Sequence, residues 1–381
     1  MIPDSKSSSP EWVIEVLKSL TAAVIDALDR IDPTLGAFIT VNAEGALQSA
    51  ATAPAGRLAG MTIGVKDLID VSGIRTTYGS LAFQDHIPIA TAPSIIALER
   101  QGAIVIGKTN LNEFAFGVNG YNPNYGPIIT PRDSTLTAGG SSGGSAVAVA
   151  TGACTIGVGT DTSGSVRIPA ACCGIWGFKF AHGQDLTGIY PLAPNLDSLG
   201  YLARNPDDLE IVLGIEGTPD IHSLSVGRIG EDVMPPPLPD EHWVLFRNEA
   251  WAVHGNAFTE TPERFGKDLQ RKLRVPIGNV HNATTVMDAW RKSYVNAVRG
   301  FDILVQPVFE GGPPRLETVI REYEQDTYSE SARLMSRTPI ANALGWPALA
   351  FPGRDQPLEV LAPPGNEAAL FSVARHLQNN Q

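Results

Sequence analysis

The sequence predicts an α/β sandwich, in which helices cover a central β-sheet. Three observations lead to this prediction. Short runs of apolar, often β-branched residues alternate with segments whose apolar residues recur at helical spacing. Glycine and proline separate many of these segments, as expected for turns between elements. The chain has 381 residues, 43% hydrophobic and 18% charged, which is enough for one large core or two smaller ones.

The first helix is predicted over residues 11–32, where apolar residues recur every three or four positions. Pro10 precedes its first turn and Gly36 lies beyond its end, which are typical positions for these residues. A second helix is predicted over residues 94–101. Further strands and helices of this first part are predicted at residues 37–41, 61–65, 103–106, 146–150 and 154–158.

The second part of the chain continues the alternation after a proline-rich stretch. Residues 217–242 contain Pro235, Pro236, Pro237 and Pro239 and are interpreted as a connection. Helices are predicted at residues 207–213, 259–273, 285–299, 323–344 and 367–377. Strands are predicted at residues 302–305, 348–351 and 358–361.

Composition excludes several classes of protein. The net charge of −12 argues against a nucleic-acid partner. No apolar run is long enough to span a membrane, and the N-terminus lacks the apolar region of a secretory signal, so a cytoplasmic location is expected. Cys154, Cys172 and Cys173 have no spacing suited to zinc, and we expect neither a metal nor a cofactor.

The stretch from Gly139 to Ser165 is the most unusual part of the sequence. It contains eight glycines, five serines and four threonines, with two apolar runs between its Gly/Ser clusters. Apolar runs of this kind distinguish it from a flexible linker. Hydroxyl groups beside exposed backbone N–H groups suit acyl transfer, which needs a nucleophile and an oxyanion pocket. A tightly packed crossover without chemistry is the alternative interpretation.

Two short motifs suggest other chemistries. Residues 102–109 match the P-loop pattern GxxxxGK[ST], but the intervening Ala-Ile-Val-Ile favours a core strand followed by a turn. Residues 140–144 match the GxSxG nucleophile elbow, which would make Ser142 the nucleophile. None of the downstream histidines lies in a segment that resembles a catalytic turn, so this hypothesis is weaker.

Several separated motifs surround Lys66, Ser141 and Ser165. They are GVKD (64–67), GKTN (107–110), GGSSGGS (139–145), GTDTSGSVR (159–167) and CGIWGFK (173–179). With these motifs in this order, the chain resembles the amidase signature family. The resemblance covers about residues 14–215 and returns more weakly at residues 300–308 and 341–361. Residues 180–200 look most like the shorter amidases, among them plant enzymes that act on indole-3-acetamide.

The resemblance implies one amidase domain over residues 1–381, with a large, mixed, twisted central sheet covered by helices. Its parts would be a helical segment (1–35), a catalytic core (60–215), the proline-rich connection (216–242) and a C-terminal part that completes the sheet and pocket (243–381).

The resemblance further implies a Ser-Ser-Lys catalytic triad. Ser165 corresponds to the nucleophile, Ser141 to the bridging serine and Lys66 to the general base, while Thr162, Ser163, Gly164 and Ser165 correspond to the oxyanion loop. Lysine acts as a base only when its amine is neutral, which requires burial or a nearby positive charge. Lys66 ends an apolar strand, so its burial is expected.

Several of these residue assignments leave an alternative role open. Ser141 could also contact substrate, or cap a helix beginning near Ser145. Asp161 and Arg167 are interpreted as scaffold, with a substrate-binding role for Arg167 as the alternative. Cys173 is interpreted as a packed core thiol. The family loop is commonly Asp-Thr-Gly-Gly-Ser, so Ser163 introduces a Cβ that the oxyanion loop has to tolerate.

Four aromatic residues are candidates for the substrate pocket. If they line it, an aryl or other apolar acyl group is favoured over a small acid; otherwise they pack in the core or at the rim. These residues are Tyr78, Phe114, Phe116 and Tyr121.

Three functions therefore remain open. The first is an amidase acting on linear amides, with a small-molecule amide substrate and a possible homodimer. The second is the catalytic subunit of an amidotransferase, which would release ammonia from glutamine for a partner. The third is a non-catalytic docking protein on the same fold, although docking proteins of this kind lose the triad residues and this chain has all three.

Overall fold

The computed structural model describes residues 11–380, and it describes side chains from residue 18 onward. Pro10 and the rest of residues 1–10, the beginning of the expected N-terminal segment, lie outside the described residues. The strands are β1 (Phe38–Val41), β2 (Thr62–Lys66), β3 (Ile104–Thr109), β4 (Tyr121–Asn122), β5 (Gly126–Pro127), β6 (Ile156–Thr160), β7 (Trp176–Lys179), β8 (Leu199–Ala203), β9 (Val226–Arg228), β10 (Ile303–Pro307), β11 (Ala348–Phe351) and β12 (Leu358–Leu361).

The helices lie between these strands in the chain. They are α1 (Glu11–Asp29), α2 (Ala43–Ala50), α3 (Pro93–Glu99), α4 (Gly143–Ala150), α5 (Arg167–Cys173), α6 (Pro206–Leu213), α7 (Glu241–Glu260), α8 (Lys267–Arg274), α9 (Val280–Ala297), α10 (Leu316–Gln325), α11 (Ser329–Leu334), α12 (Pro339–Leu344) and α13 (Glu367–Asn380).

One mixed sheet of ten strands runs through the molecule in the order β1-β3-β2-β6-β8-β7-β11-β12-β10-β9. The strand β2 pairs in parallel with both β3 and β6, whereas β6, β8 and β7 pair antiparallel. The predicted α/β sandwich with a large mixed sheet is therefore confirmed.

Helices cover both faces of the sheet because its strands are apolar on both sides. In β3, Ile104 and Ile106 pack in a core with α1, α2, α4 and α5, while Val105 between them packs with α3, α6 and α13 on the opposite face. This alternation follows from the two-residue period of a strand. Burying an aliphatic side chain of this size contributes roughly 1.5–3 kcal/mol, so both layers stabilise the sheet.

The P-loop alternative is excluded by the same strand. Residues 104–109 are extended and paired within the sheet, as the core-strand interpretation predicts. Lys108 is completely buried, and its Nζ lies 3.1 Å from Oδ1 of Asp67. The Lys108 ammonium group is therefore paired with a buried carboxylate and does not face a phosphate site.

The predictions are wrong in three places in the second half. Residues 259–273 span the end of α7 and most of α8, because Pro262 and Gly266 interrupt the helical hydrogen bonding between them. Residues 323–344 belong to three helices, since Asp326 takes a left-handed conformation (φ 61°) that ends α10 and Pro339 begins α12. The expected connection at 217–242 contains β9, which pairs with β10.

Candidate active site

Lys66 occupies the end of β2, and its side chain is completely buried. Its Nζ lies 2.7 Å from Oγ of Ser141 and 2.7 Å from Oγ1 of Thr160. Thr160 approaches because β6 runs parallel beside β2, so the carboxyl ends of both strands meet at one edge. The prediction that Lys66 is buried at a strand end is confirmed.

Burial lowers the pKa of the Lys66 amine from 10.5 to about 7, and the negative charges of Asp161 and Asp197 oppose this shift. The cause is desolvation, which disfavours the charged form of a lysine inside a protein. Near neutral pH, a substantial fraction of the amine is therefore unprotonated. A neutral amine at hydrogen-bond distance from a hydroxyl can accept its proton.

The glycines beside Ser141 allow this loop to lie very close to its neighbours. The peptide bond between Gly140 and Ser141 is cis. A Cβ at Gly140 would lie 2.0 Å from Oδ1 of Asn112, and one at Gly144 would lie 2.4 Å from the carbonyl oxygen of Ala37. Only glycine fits these two positions, because a side chain would require both neighbours to move.

The capping role considered for Ser141 is wrong. The helix α4 begins at Gly143, and the residue before it is Ser142, which makes no side-chain capping hydrogen bond. The Ser142 hydroxyl instead donates to the carbonyl of Thr160 over 3.1 Å. Ser142 does not line the cavity described below, which argues against the nucleophile-elbow hypothesis.

Ser165 lies on the second Gly/Ser loop, and that loop is joined to the first by a backbone hydrogen bond. The N–H of Ser142 donates to the carbonyl of Ser165 over 3.0 Å. Ser165 also lines the cavity of about 400 Å³ that is described below. Among residues 18–380 its hydroxyl has no hydrogen-bond partner. The structure therefore brings Ser141 to Lys66 but shows no direct hydrogen bond between the Ser141 and Ser165 hydroxyls.

The oxyanion loop differs in one respect from the expectation. The N–H of Gly164 donates to Oδ1 of Asp161 over 2.8 Å and is therefore occupied. The N–H groups of Thr162, Ser163 and Ser165 have no hydrogen-bond partner among the described residues and remain as candidate oxyanion donors. The expectation of four free donors is therefore wrong for Gly164, and three of the four remain.

Ser163 is tolerated because the left-handed position of the loop is Gly164. Gly164 has φ 116°, and a Cβ there would lie 2.3 Å from Oγ1 of Thr338. Ser163 is not among the described residues with positive φ. Its carbonyl accepts a hydrogen bond of 2.7 Å from Thr338, which fixes the loop from the C-terminal half.

Asp161 and Arg167 form a buried ion pair that supports this loop. Arg167 donates to Oδ1 of Asp161 over 2.9 Å and to Oε2 of Glu359 over 2.7 Å. Although burial opposes it, the Arg167 guanidinium holds the pKa of the Asp161 carboxyl well below its usual range. The scaffold interpretation is confirmed, and the substrate-binding alternative for Arg167 is wrong because its side chain is fully buried away from the cavity.

A cavity of about 400 Å³ adjoins Ser165, Thr162 and Ser163. Apolar side chains make up most of its wall: Phe116, Val118, Leu192, Trp243, Phe246 and Met335. Binding pockets for small organic molecules are commonly of this size and apolar character. The site can therefore hold an apolar group next to the Ser165 hydroxyl.

Of the four aromatic candidates, Phe116 lines the cavity and the other three do not. Tyr78 and Phe114 are buried in an aromatic cluster with Tyr190, where the centroid of the Tyr190 ring lies 4.4 Å from that of Tyr78. Tyr121 lines a separate small recess. The alternative prediction, that these aromatic residues pack in the core, is therefore correct for Tyr78 and Phe114.

Cys173 is buried, and burial raises the pKa of its thiol to about 12. A thiol in this state is a poor nucleophile at neutral pH, which agrees with a core role.

Sequence reasoning missed Thr160 and the whole contribution of α7. Thr160 directly precedes Asp161 in a motif already recognised, so strand pairing between β2 and β6 could have identified it. The helix α7 brings Trp243, Phe246 and Arg247 to the cavity. Its buried residues recur about every four positions, but they include two histidines, and apolar residues also occur on its other faces, so no single apolar stripe marked the helix.

Among residues 18–380, whose side chains the structure describes, no group of three or more His, Cys, Asp or Glu side chains could hold a metal ion. No helix within residues 11–380 is long and apolar enough to cross a membrane.

Comparison with known proteins gives consistent matches. The family model described as Amidase matches residues 19–223. A glutamyl-tRNA(Gln) amidotransferase subunit of Geobacter sp. (strain M21) is 38% identical over 229 residues, which cover 58% of this chain and 46% of the relative. The chain thus matches less than half the length of this curated relative.

Solved structures match over nearly the whole chain. One described as an amidase is 28% identical with a TM-score of 0.81, covering 95% of this chain and 98% of its own. A 6-aminohexanoate cyclic dimer hydrolase has a TM-score of 0.81 at 20% identity, covering 94% of this chain and 92% of its own, and shows likeness of fold alone. Because the family model covers more than half of the chain, and the fold agrees with it, this protein belongs to the amidase signature family.

Proposed function

We propose that this protein hydrolyses a carboxylic amide to an acid and ammonia or an amine, through an acyl-enzyme on Ser165. The observation that carries the proposal is the buried Lys66 amine, 2.7 Å from the Ser141 hydroxyl, with its pKa lowered to about 7 by burial. The free Ser165 hydroxyl on the adjoining loop lines an apolar cavity of about 400 Å³, which supports an apolar acyl group.

In the proposed reaction, Lys66 Nζ accepts the proton of Ser141 as Ser141 accepts the proton of Ser165. The Ser165 Oγ attacks the carbonyl carbon, and the substrate oxygen becomes an oxyanion. The free N–H groups of Thr162, Ser163 and Ser165 are the candidate donors that stabilise this charge. The C–N bond then breaks as the proton returns through Ser141 to the leaving nitrogen, and water hydrolyses the ester by the same relay.

The direct test compares two serine variants on a panel of amides, with released ammonia as the readout. Ser165→Ala should lose turnover, whereas Ser142→Ala should retain activity within about tenfold, because only one supporting hydrogen bond is removed. A fluorophosphonate should label Ser165 in the wild-type protein, as mass spectrometry of the labelled peptide can establish. Full activity of Ser165→Ala would refute the proposal, and loss only in Ser142→Ala would favour the nucleophile-elbow mechanism.

A second candidate is the catalytic subunit of an amidotransferase, which would use the same residues to release ammonia from glutamine for a partner. The observation that favours it is the 38% identity to the glutamyl-tRNA(Gln) amidotransferase subunit of Geobacter sp. (strain M21). A kcat/KM for glutamine well above that for simple amides would support this candidate. Preference for amides without an amino group would support the stand-alone amidase.

A further inference from the structure

The cavity beside Ser165 has a mostly apolar wall, and all of its charged lining residues are cationic. Two cationic side chains, Arg247 and Lys272, line it, and none of its lining residues is an aspartate or glutamate. A charge facing a largely apolar cavity is screened less than one facing water, so its sign strongly affects which ligands bind. The electrostatics therefore favour a ligand that carries negative charge.

The charge of Lys272 is already compensated within the protein. Its Nζ lies 2.6 Å from Oδ2 of Asp268, one helical turn earlier in α8, and it also donates to the carbonyl of Phe116. A ligand would have to compete with these partners for the ammonium group. Lys272 therefore contributes less to the attraction of an anion than an uncompensated cation would.

Arg247 has no such compensation. It projects from α7, is partly buried, and its Nε is fully buried without a hydrogen-bond partner. Among residues 18–380, whose side chains the structure describes, it makes no hydrogen bond, ion pair or cation–π contact. A buried guanidinium N–H without an acceptor is costly, because its hydrogen bonds to water have been lost. A carboxylate in the cavity would give the Arg247 guanidinium a partner of opposite charge, and the planar guanidinium can bind a carboxylate through two parallel hydrogen bonds.

We propose that Arg247 binds a carboxylate on the acyl part of the substrate, so that the preferred substrates are monoamides of dicarboxylic acids with an apolar spacer. This inference rests on the proposed amide hydrolysis at Ser165. The spacer packs against the apolar wall, for example Trp243 and Phe246, while the amide reaches Ser165. The same cavity disfavours an α-amino group, because none of its lining residues offers a carboxylate to an ammonium ion. Glutamine is therefore a poorer substrate than glutaramate, which differs from it only in lacking that group.

The experiment uses pairs of amides that differ only in the carboxylate. Adipamate is compared with hexanamide, and 4-carbamoylbenzoate with 4-methylbenzamide, as substrates of the 381-residue chain, with released ammonia as the readout. The kcat/KM of the wild-type protein should be at least about tenfold higher for the carboxylate in one or both pairs, as expected for a charge-assisted hydrogen bond. Equal or lower values for both carboxylates would overturn the inference.

Substitutions of Arg247 test whether this residue causes the preference for carboxylate substrates. Arg247→Met should lower the ratio of carboxylate to uncharged substrate at least about tenfold, and Arg247→Lys should restore part of it. Arg299→Met, which removes an exposed arginine outside the cavity, should leave the ratio within about twofold and controls for net charge. An unchanged ratio in Arg247→Met would overturn the assignment.

A binding measurement separates this inference from the proposed function. Calorimetric titration of adipate into Ser165→Ala and into Ser165→Ala/Arg247→Met requires no turnover. Weaker binding to the double variant supports the carboxylate site even if no amide is hydrolysed, and an absence of hydrolysis would then overturn only the proposed function. Equal binding, or none to either protein, would overturn the inference while leaving hydrolysis of uncharged amides intact.

Discussion

Replacing Lys66 with methionine should abolish amide hydrolysis and stabilise the folded protein at neutral pH. Burial lowers the pKa of this amine from 10.5 to about 7. At about 1.36 kcal/mol per pKa unit, the full shift corresponds to about 5 kcal/mol of folding free energy, of which about 4 kcal/mol is lost at pH 7, where half of the buried amine is already neutral. The hydrogen bonds from Lys66 to the Ser141 and Thr160 hydroxyls stabilise the folded wild type by about 1 kcal/mol each, and methionine would lose them. The expected net gain for Lys66→Met is therefore about 2 kcal/mol.

The pH dependence of this gain has a definite sign. Because the pKa is lower in the folded state, the unfolded chain binds more protons between pH 7 and 10.5. The stability contribution of Lys66 therefore rises with pH across that window. By about pH 9.5 the penalty falls to about 1 kcal/mol, so the advantage of methionine should disappear.

Urea unfolding, followed by tryptophan fluorescence at both pH values, measures these differences for the wild type and Lys66→Met. Lys267→Met is the matched control, since Lys267 is exposed and should show no pH-dependent gain. The reasoning about burial is refuted if Lys66→Met is less stable than the wild type at neutral pH, or if its advantage does not change with pH. Residual turnover in Lys66→Met would refute the role of lysine as the base.

Three further outcomes follow from the same geometry. The kcat/KM should rise about tenfold per pH unit below pH 7 and level off above it, because only the neutral Lys66 amine accepts a proton; a falling profile would contradict this. Thr160→Val should lower kcat about tenfold, while Thr160→Ser, which keeps the hydroxyl bonded to Lys66, should retain most activity; equal rates would exclude a positioning role. Gly144→Ala should reduce the free energy of unfolding by about 1–3 kcal/mol, whereas Gly217→Ala, whose Cβ would enter open space, should not; equal urea midpoints would contradict the close packing.

The sequence predicted those parts of the site whose residues lie in short, locally distinctive segments. The glycines around Ser141 and before Ser165 are required by close backbone approaches and by positive φ at Gly164, and such requirements appear directly as residue types. The strands β11 and β12 were predicted with their observed bounds, because each is a short apolar run between turn residues.

The parts that were missed depend on contacts between distant segments. Lys66 and Thr160 are separated by 94 positions, and only the pairing of β2 with β6 brings the Thr160 hydroxyl to the Lys66 amine. The helix α7 was missed because its buried face contains two histidines and its apolar residues are spread over several faces, so they do not form one apolar stripe.

The sequence by itself therefore determined the α/β class, the buried lysine and the two Gly/Ser loops. Only the tertiary structure decided that Gly164 is not a free donor, that Tyr78 and Phe114 lie in the core, and that Arg247 reaches the cavity. The reason is physical: local residue types limit the backbone conformation, whereas hydrogen-bond partners, desolvation and the surface of a cavity depend on every segment that packs around a group.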